Sequence, residues 1–178
     1  MKDKPSTEYA VLGALMSGPK HGYEILQFLE NRLAPTWRFS TSQLYVLLKK
    51  LEKACLIRSS VRKQETRPAK RMFFLEPQGK KRFIQWISSP TEFIRDLRIE
   101  FLAKLFFYQE LSIKGGHELV MAQISLMEKL KQRIMKEKKM EHDPYHRLVL
   151  GFRAANINGW LRWLKNEAAP FVDKIKEG

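Results

Sequence analysis

The chain has 178 residues and a formal charge of +14, with 33 Lys/Arg against 19 Asp/Glu. A hydrophobic share of 44% excludes a wholly disordered chain, and a single cysteine excludes an intrachain disulfide. The absence of any apolar run of about 18 residues excludes a transmembrane helix. Met1-Lys2-Asp3-Lys4-Pro5 lacks the apolar core of a signal peptide, so a cytoplasmic protein is expected.

The charge is unevenly spread. Residues 1–90 hold 17 basic and 7 acidic side chains, and residues 49–71 alone hold nine basic and two acidic. Such a field attracts a polyanion, because each phosphate neutralised releases condensed counterions. Charge and pattern together point to nucleic acid.

Thr7 to Met16 reads as a short helix with Val11, Leu12 and Leu15 on one side, capped by Ser6 or Thr7. Ser17-Gly18-Pro19 stops it. A second helix, near Gly22 to Leu33, places Ile25, Leu26, Leu29 and Leu33 on one face. After a connection through Ala34–Phe39 comes the most informative stretch, Ser40 to Lys53. Leu44, Leu47, Leu48, Leu51 and Cys55 form one apolar stripe, so a buried Cys55 is expected. Ser42, Val46, Lys49 and Lys53 project oppositely, with Gln43, Tyr45 and Lys50 on the flanks. A helix with its back in a core and short hydrogen-bonding groups at its N-terminus suits the major groove of DNA.

The period then changes. Ile57, Ser59 and Val61 alternate with Arg58, Ser60 and Arg62, which predicts a strand. A polar loop over 63–70 leads to a second, aromatic-rich strand, Arg71 to Leu75. Two strands joined by a basic loop after a helix-turn-helix describe a wing, with Arg67, Lys70 and Arg71 within reach of phosphates or the minor groove. Pro77 opens a fourth helix running to about Ile87, with Phe83, Ile84 and Ile87 inward.

Ser88-Ser89-Pro90 marks the expected boundary between a DNA-binding domain, 1–88, and a helical domain, 89–178. The first helix beyond it carries Leu97, Phe101, Leu102, Leu105, Phe106 and Tyr108. A longer one carries Leu119, Val120, Ile124, Met127, Leu130 and Ile134, and a last one Leu148, Val149, Phe152, Trp160, Trp163 and Leu164. Three helices of this length cannot bury so much aromatic surface alone, so pairing with a second copy is expected. Phe101, Leu102, Leu105, Ile124, Met127, Leu130, Phe152, Trp160 and Trp163 are the expected dimerisation residues. A dimer would also space two recognition helices about one DNA turn apart, roughly 34 Å, as a palindromic operator requires.

Taken in order, these motifs resemble a known family. Gly18-Pro19-Lys20-His21-Gly22-Tyr23-Glu24-Ile25, Ser42-Gln43-Leu44-Tyr45 and Leu48-Lys49-Lys50-Leu51-Glu52-Lys53 are similar to the PadR family of winged-helix regulators. Arg71 to Leu75 followed by Gly79 resembles that family's wing strand and following helix. Glu100 to Phe107, with Trp163-Leu164, resembles the long C-terminal domain of its virulence activator AphA-like branch. The resemblance implies a mostly α fold with a small β-wing: an N-terminal winged helix-turn-helix followed by a C-terminal α-helical dimerisation domain. It also implies a homodimeric, sequence-specific transcriptional regulator, read as a repressor. By position Tyr23, Ser40, Thr41, Ser42, Gln43 and Tyr45 would face DNA, with Lys49 and Lys50 on the backbone. The recognition helix begins Ser40-Thr41 where such proteins often begin Ser-Pro or Ser-His, so operator sequence does not carry over.

Other readings are weaker. Gln43 suits bidentate adenine readout, although an amide at a helix N-terminus more often meets phosphate or water. His142 and His146 lie four apart, but Pro144 separates them and a third ligand is missing, so no metal and no cofactor are expected. Trp160, Trp163, Phe101 and Phe106 could line a pocket for a small aromatic effector, though aromatics at helical spacing more often form core. Motifs for catalysis, such as a Gly-rich phosphate loop or a Ser/His/Asp set, are missing, and an enzyme is not expected. The alternative to a regulator is an architectural DNA- or RNA-binding protein without sequence readout.

Overall fold

A computed structural model describes residues 7–33, 37, 39–62 and 70–175. The element order is α1 (Thr7–Met16), β1 (Lys20–His21), α2 (Gly22–Leu33), α3 (Thr41–Lys53), β2 (Ile57–Arg62), β3 (Lys70–Leu75) and α4 (Pro77–Ser88). Then come α5 (Ile94–Asp96), a π-helical turn at Leu97–Phe101, α6 (Leu102–Glu110), α7 (Gly116–Met140), α8 (Pro144–Trp163), a second π turn at Leu164–Ala168, and α9 (Ala169–Ile175). The fold is mostly helical with one small antiparallel sheet, ordered β1-β3-β2.

α1 is buried almost all round, from Ala10 to Leu15, and forms the axis on which α2, α3 and α4 pack. α3 starts where its sequence stores a capping box. Ser40 Oγ accepts from the Gln43 backbone N–H, and the Gln43 side-chain oxygen accepts from the Ser40 N–H. It ends in a Schellman turn: the Cys55 N–H donates to the Glu52 carbonyl and the Leu56 N–H to the Leu51 carbonyl, each at 3.0 Å. Cys55 occupies the left-handed position of that turn, with φ +55. The expected buried Cys55 is therefore corrected. The helix stops at Lys53, so the apolar stripe cannot be projected on to Cys55, and its thiol is exposed.

β2 and β3 pair antiparallel from Ile57↔Leu75 to Arg62↔Lys70, so the second strand starts at Lys70, one residue before the Arg71 expected from sequence. β1 adds a short third strand, Lys20↔Phe73 and His21↔Met72. Trp37 and Phe39, read from sequence as connection, are buried and tilted together with centroids 5.3 Å apart. Gly79 is required where α4 meets the wing, because a Cβ there would lie 2.1 Å from the Leu56 carbonyl oxygen.

The C-terminal helices fold back onto the first four. Phe107 stands edge-on to Phe83 at 5.3 Å and fills the space that a side chain at Gly13 would need. Phe106 packs on Phe28, and Arg32 is ion-paired with Glu110. Residues 89–91, between α4 and α5, are pinned by buried polar contacts. The Gln123 amide pairs with both backbone groups of Thr91, and Lys104 Nζ donates to the Ser89 carbonyl at 2.8 Å. One buried apolar cluster runs through both halves of the chain.

This packing corrects part of the dimerisation expectation. Phe101, Leu105, Ile124 and Met127 lie in the chain's own core, 0–6% exposed. The α6, α7, α8 and α9 helices wrap each other closely enough to bury them without a second copy. Leu102, Leu130, Trp160 and Trp163 are half-buried, and Phe152 is exposed.

Candidate nucleic-acid interface

The helical period of α3 sends Leu44, Leu48 and Leu51 into the core, and the same period sends Thr41, Ser42, Gln43, Tyr45, Val46, Lys49, Lys50 and Lys53 to the surface. Ser40 is exposed at its N-cap, and Ser40 Oγ lies 3.2 Å from Ser42 Oγ. Tyr45 is half-exposed and its hydroxyl rests against Gly22, the first residue of α2; a Cβ at Gly22 would approach it to 3.0 Å. Tyr23, next in α2, is fully outward at 69% exposure. The polar N-terminal half of α3 and the start of α2 thus share one surface.

Two of the expected contacts are already engaged. The Gln43 carbonyl oxygen caps Ser40, so bidentate readout of a base by Gln43 would break the capping box. Lys50 Nζ lies 3.0 Å from a Glu8 carboxylate oxygen, which ties it back to α1. Lys49 and Lys53 carry no ion pair among the described residues and are the free cations of this face.

On the wing, Arg67 lies outside the described residues. Lys70 begins β3, paired with Arg62. Arg71 does not extend freely: its Nη2 donates to both Glu52 oxygens, at 2.7 and 2.9 Å, and its Nε donates to Ser59 Oγ at 2.7 Å. The Ser59 hydroxyl in turn donates to Glu52 at 2.5 Å. That hydroxyl, with the Arg71 guanidinium beside it, holds the Glu52 carboxyl below its usual range, although partial burial pushes the other way. Sequence reading passed over Glu52 and Ser59. The available signal was one carboxylate standing among four cations between Lys49 and Arg58.

The expected aromatic pocket does not form as one space. Phe101 packs edge-on to Trp163, and Trp160 to Trp163, whereas Phe106 faces Phe28 and Phe107 elsewhere. Trp160 instead helps line a cleft of about 640 Å³ with Phe93, Ile94, Leu130 and Phe152. Among the described residues no helix is long and apolar enough to cross a membrane.

Residues 11–85, which span α1 to α4 with the wing, match the model of the Transcriptional regulator PadR-like family. A curated relative, the negative transcriptional regulator PadR of Bacillus subtilis (strain 168), is 30% identical over 117 residues. That alignment takes in 66% of this chain and 64% of the relative. The crystal structure of Bacillus subtilis PadR in complex with operator DNA is 25% identical with a TM-score of 0.48, over 93% of this chain and 98% of that one. The structure of the same protein with p-coumaric acid is 24% identical with a TM-score of 0.43, over 96% and 98%. Superpositions this loose leave the interface to stand on this chain's own geometry. With this signature lying on the helices and wing that carry the exposed basic face, residues 11–85 form a domain of the transcriptional regulator PadR-like family.

Proposed function

We propose that this protein is a sequence-specific DNA-binding transcriptional regulator that acts as a homodimer and represses its target. The observation that carries the reading is α3, a helix capped at an exposed N-terminus, apolar toward the core and polar toward solvent, with a basic wing fixed beside it. Residues 1–88 read DNA in this proposal and residues 89–178 dimerise. Ser40, Thr41, Ser42 and Tyr45 meet the groove, Tyr23 flanks it, and Lys49 and Lys53 supply phosphate contacts. The curated relative's name, a negative regulator, supports repression.

The test is fluorescence anisotropy on a duplex that the protein itself has enriched from a random library. Changing Ser42 and Tyr45 together to alanine, which leaves the Ser40/Gln43 capping box in place, is expected to cost about a hundredfold in affinity for that duplex, since base contacts contribute roughly 1–3 kcal/mol each. A mixed-sequence duplex should bind far more weakly, and about equally to both proteins. Equal affinity of the wild type for selected and mixed duplexes, or for RNA, would replace the regulator with the architectural alternative.

The cleft lined by Phe93, Ile94, Leu130, Phe152 and Trp160 favours an added part of the reading, a small aromatic effector bound there. The phenolic acid in the Bacillus subtilis complex is the natural probe. Millimolar p-coumaric acid is expected to raise the melting midpoint of the protein and to weaken binding of the selected duplex. A Trp160→Ala variant should lose both effects. If neither effect occurs in the wild type, the effector part is wrong.

A further inference from the structure

In the middle of the basic patch stands a carboxylate that the DNA reading does not use. Glu52 lies on the last turn of α3, half-buried, and both its oxygens accept from Arg71 of β3. Ser59 of β2 completes a closed ring, donating to Glu52 and accepting from Arg71 Nε. Three elements are therefore tied at one point by charge-assisted bonds, about twice as strong as neutral ones. The other side of Arg71 is held as well. Its carbonyl oxygen lies 3.1 Å from His21 Nδ1 on β1, and its guanidinium lies 5.5 Å from the Phe73 ring centre.

We propose that Glu52, Ser59 and Arg71 form a clamp that fixes the wing beside the recognition helix, with Arg71 a positioning residue and not a phosphate contact. This rests on the DNA-reading role of α3 proposed above. The two roles of an arginine have different chemistry. A phosphate contact needs a cation, which lysine also supplies, and it contributes to counterion release. A clamp needs the planar guanidinium, which here holds the Glu52 carboxylate through Nη2 and Ser59 through Nε at the same time; the single ammonium of lysine has no such fixed pair of donors. Glu52 sharpens the contrast. Removing a negative charge from a basic patch should by itself tighten DNA binding, so weaker binding after Glu52→Gln has the sign that only positioning gives.

The experiment uses the full chain, the selected duplex and a salt series, with Arg71→Lys, Arg71→Met, Glu52→Gln and, for comparison, Lys49→Met. The clamp predicts that the first three each weaken binding about tenfold, the scale of a lost charged hydrogen bond. Their slope of log affinity against log salt should stay at the wild-type value, and the Arg71→Met/Glu52→Gln double variant should be no weaker than either single one. Lys49→Met should lower that slope by about one. In the free protein, amide exchange at 57–62 and 70–75 should accelerate in all three clamp variants. Wild-type behaviour of Arg71→Lys, with a slope lowered by about one in Arg71→Met, would overturn the clamp and make Arg71 a phosphate contact. Unchanged amide exchange would overturn it too. If the wild type selects no duplex, the regulator reading fails, and amide exchange still decides the clamp.

Discussion

Replacing Leu148 and Phe152 together by glutamate is expected to give a folded monomer that binds its operator on the order of a thousandfold more weakly, the scale of lost avidity when one of two half-sites is no longer engaged. The reason lies in the two faces of α8. One face buries Ala154, Ile157 and Leu161 against α7. On the opposite face Tyr145, Leu148 and Phe152 follow at helical spacing and are each 68–69% exposed. Further along that face come Ala155 and Gly159, and a Cβ at Gly159 would meet nothing within 4 Å. Arg153 and Arg162 flank this row, and no charge falls within it. A helix apolar on two sides calls for two partners, of which the chain supplies one. A second copy offers the same row across a two-fold axis. Light scattering on a sizing column reads the outcome, with circular dichroism confirming that helix content is kept. A double variant that remains dimeric would place the interface elsewhere.

The second large effect is on stability. Lys104→Ala is expected to cost about 3–5 kcal/mol, the range found when one partner of a buried ion pair is removed. Lys104 is 1% exposed, and its ammonium donates to Glu100 and the Ser89 carbonyl at 2.8 Å and to Thr91 Oγ1 at 3.4 Å. It also lies 5.1 Å from the Trp86 ring centre. Truncation strands these acceptors and opens a void between α4 and α6. Urea denaturation at constant slope would measure the loss. Lys104→Met with Glu100→Leu should recover most of it, because an apolar pair of similar volume avoids the desolvation cost.

The same lysine gives the stability a pH dependence of known sign. Desolvation by burial lowers its pKa from the ordinary 10.5, against the raising effect of Glu100. Between the lowered folded value and 10.5 the unfolded chain binds more protons, so the contribution of Lys104 to stability rises with pH through that window. The Lys104→Met/Glu100→Leu variant should lack this rise. A cost of Lys104→Ala below about 1 kcal/mol would mean that the contacts at residues 89–91 are held without it.

What the sequence made legible is what local chemistry decides. Gly18-Pro19 and the Ser40/Gln43 capping box carry their own punctuation, and α2 and α3 begin and end beside it as expected. The first wing strand announced itself by alternation and the second by its aromatic side chains. β1 did not, because two residues become a strand only when Phe73 and Met72 lie alongside them. Periodicity marked Phe101 and Phe152 alike as apolar, yet one is enclosed by its own chain and the other faces outward. That difference is set by how α6, α7 and α8 cross, which no single stretch encodes. Arg71 read as a free cation for the same reason: the residue that holds it lies nineteen positions away.

Cys55 turns a local irregularity into a means of measurement. It is the chain's one thiol, exposed, at the left-handed turn between α3 and β2. A single maleimide spin label would therefore attach at one place in each copy, at the shoulder of the proposed reading head. In a two-fold pair the two labels would form a ruler between the heads, and the distance they report, with and without DNA, would give the separation of the half-sites directly.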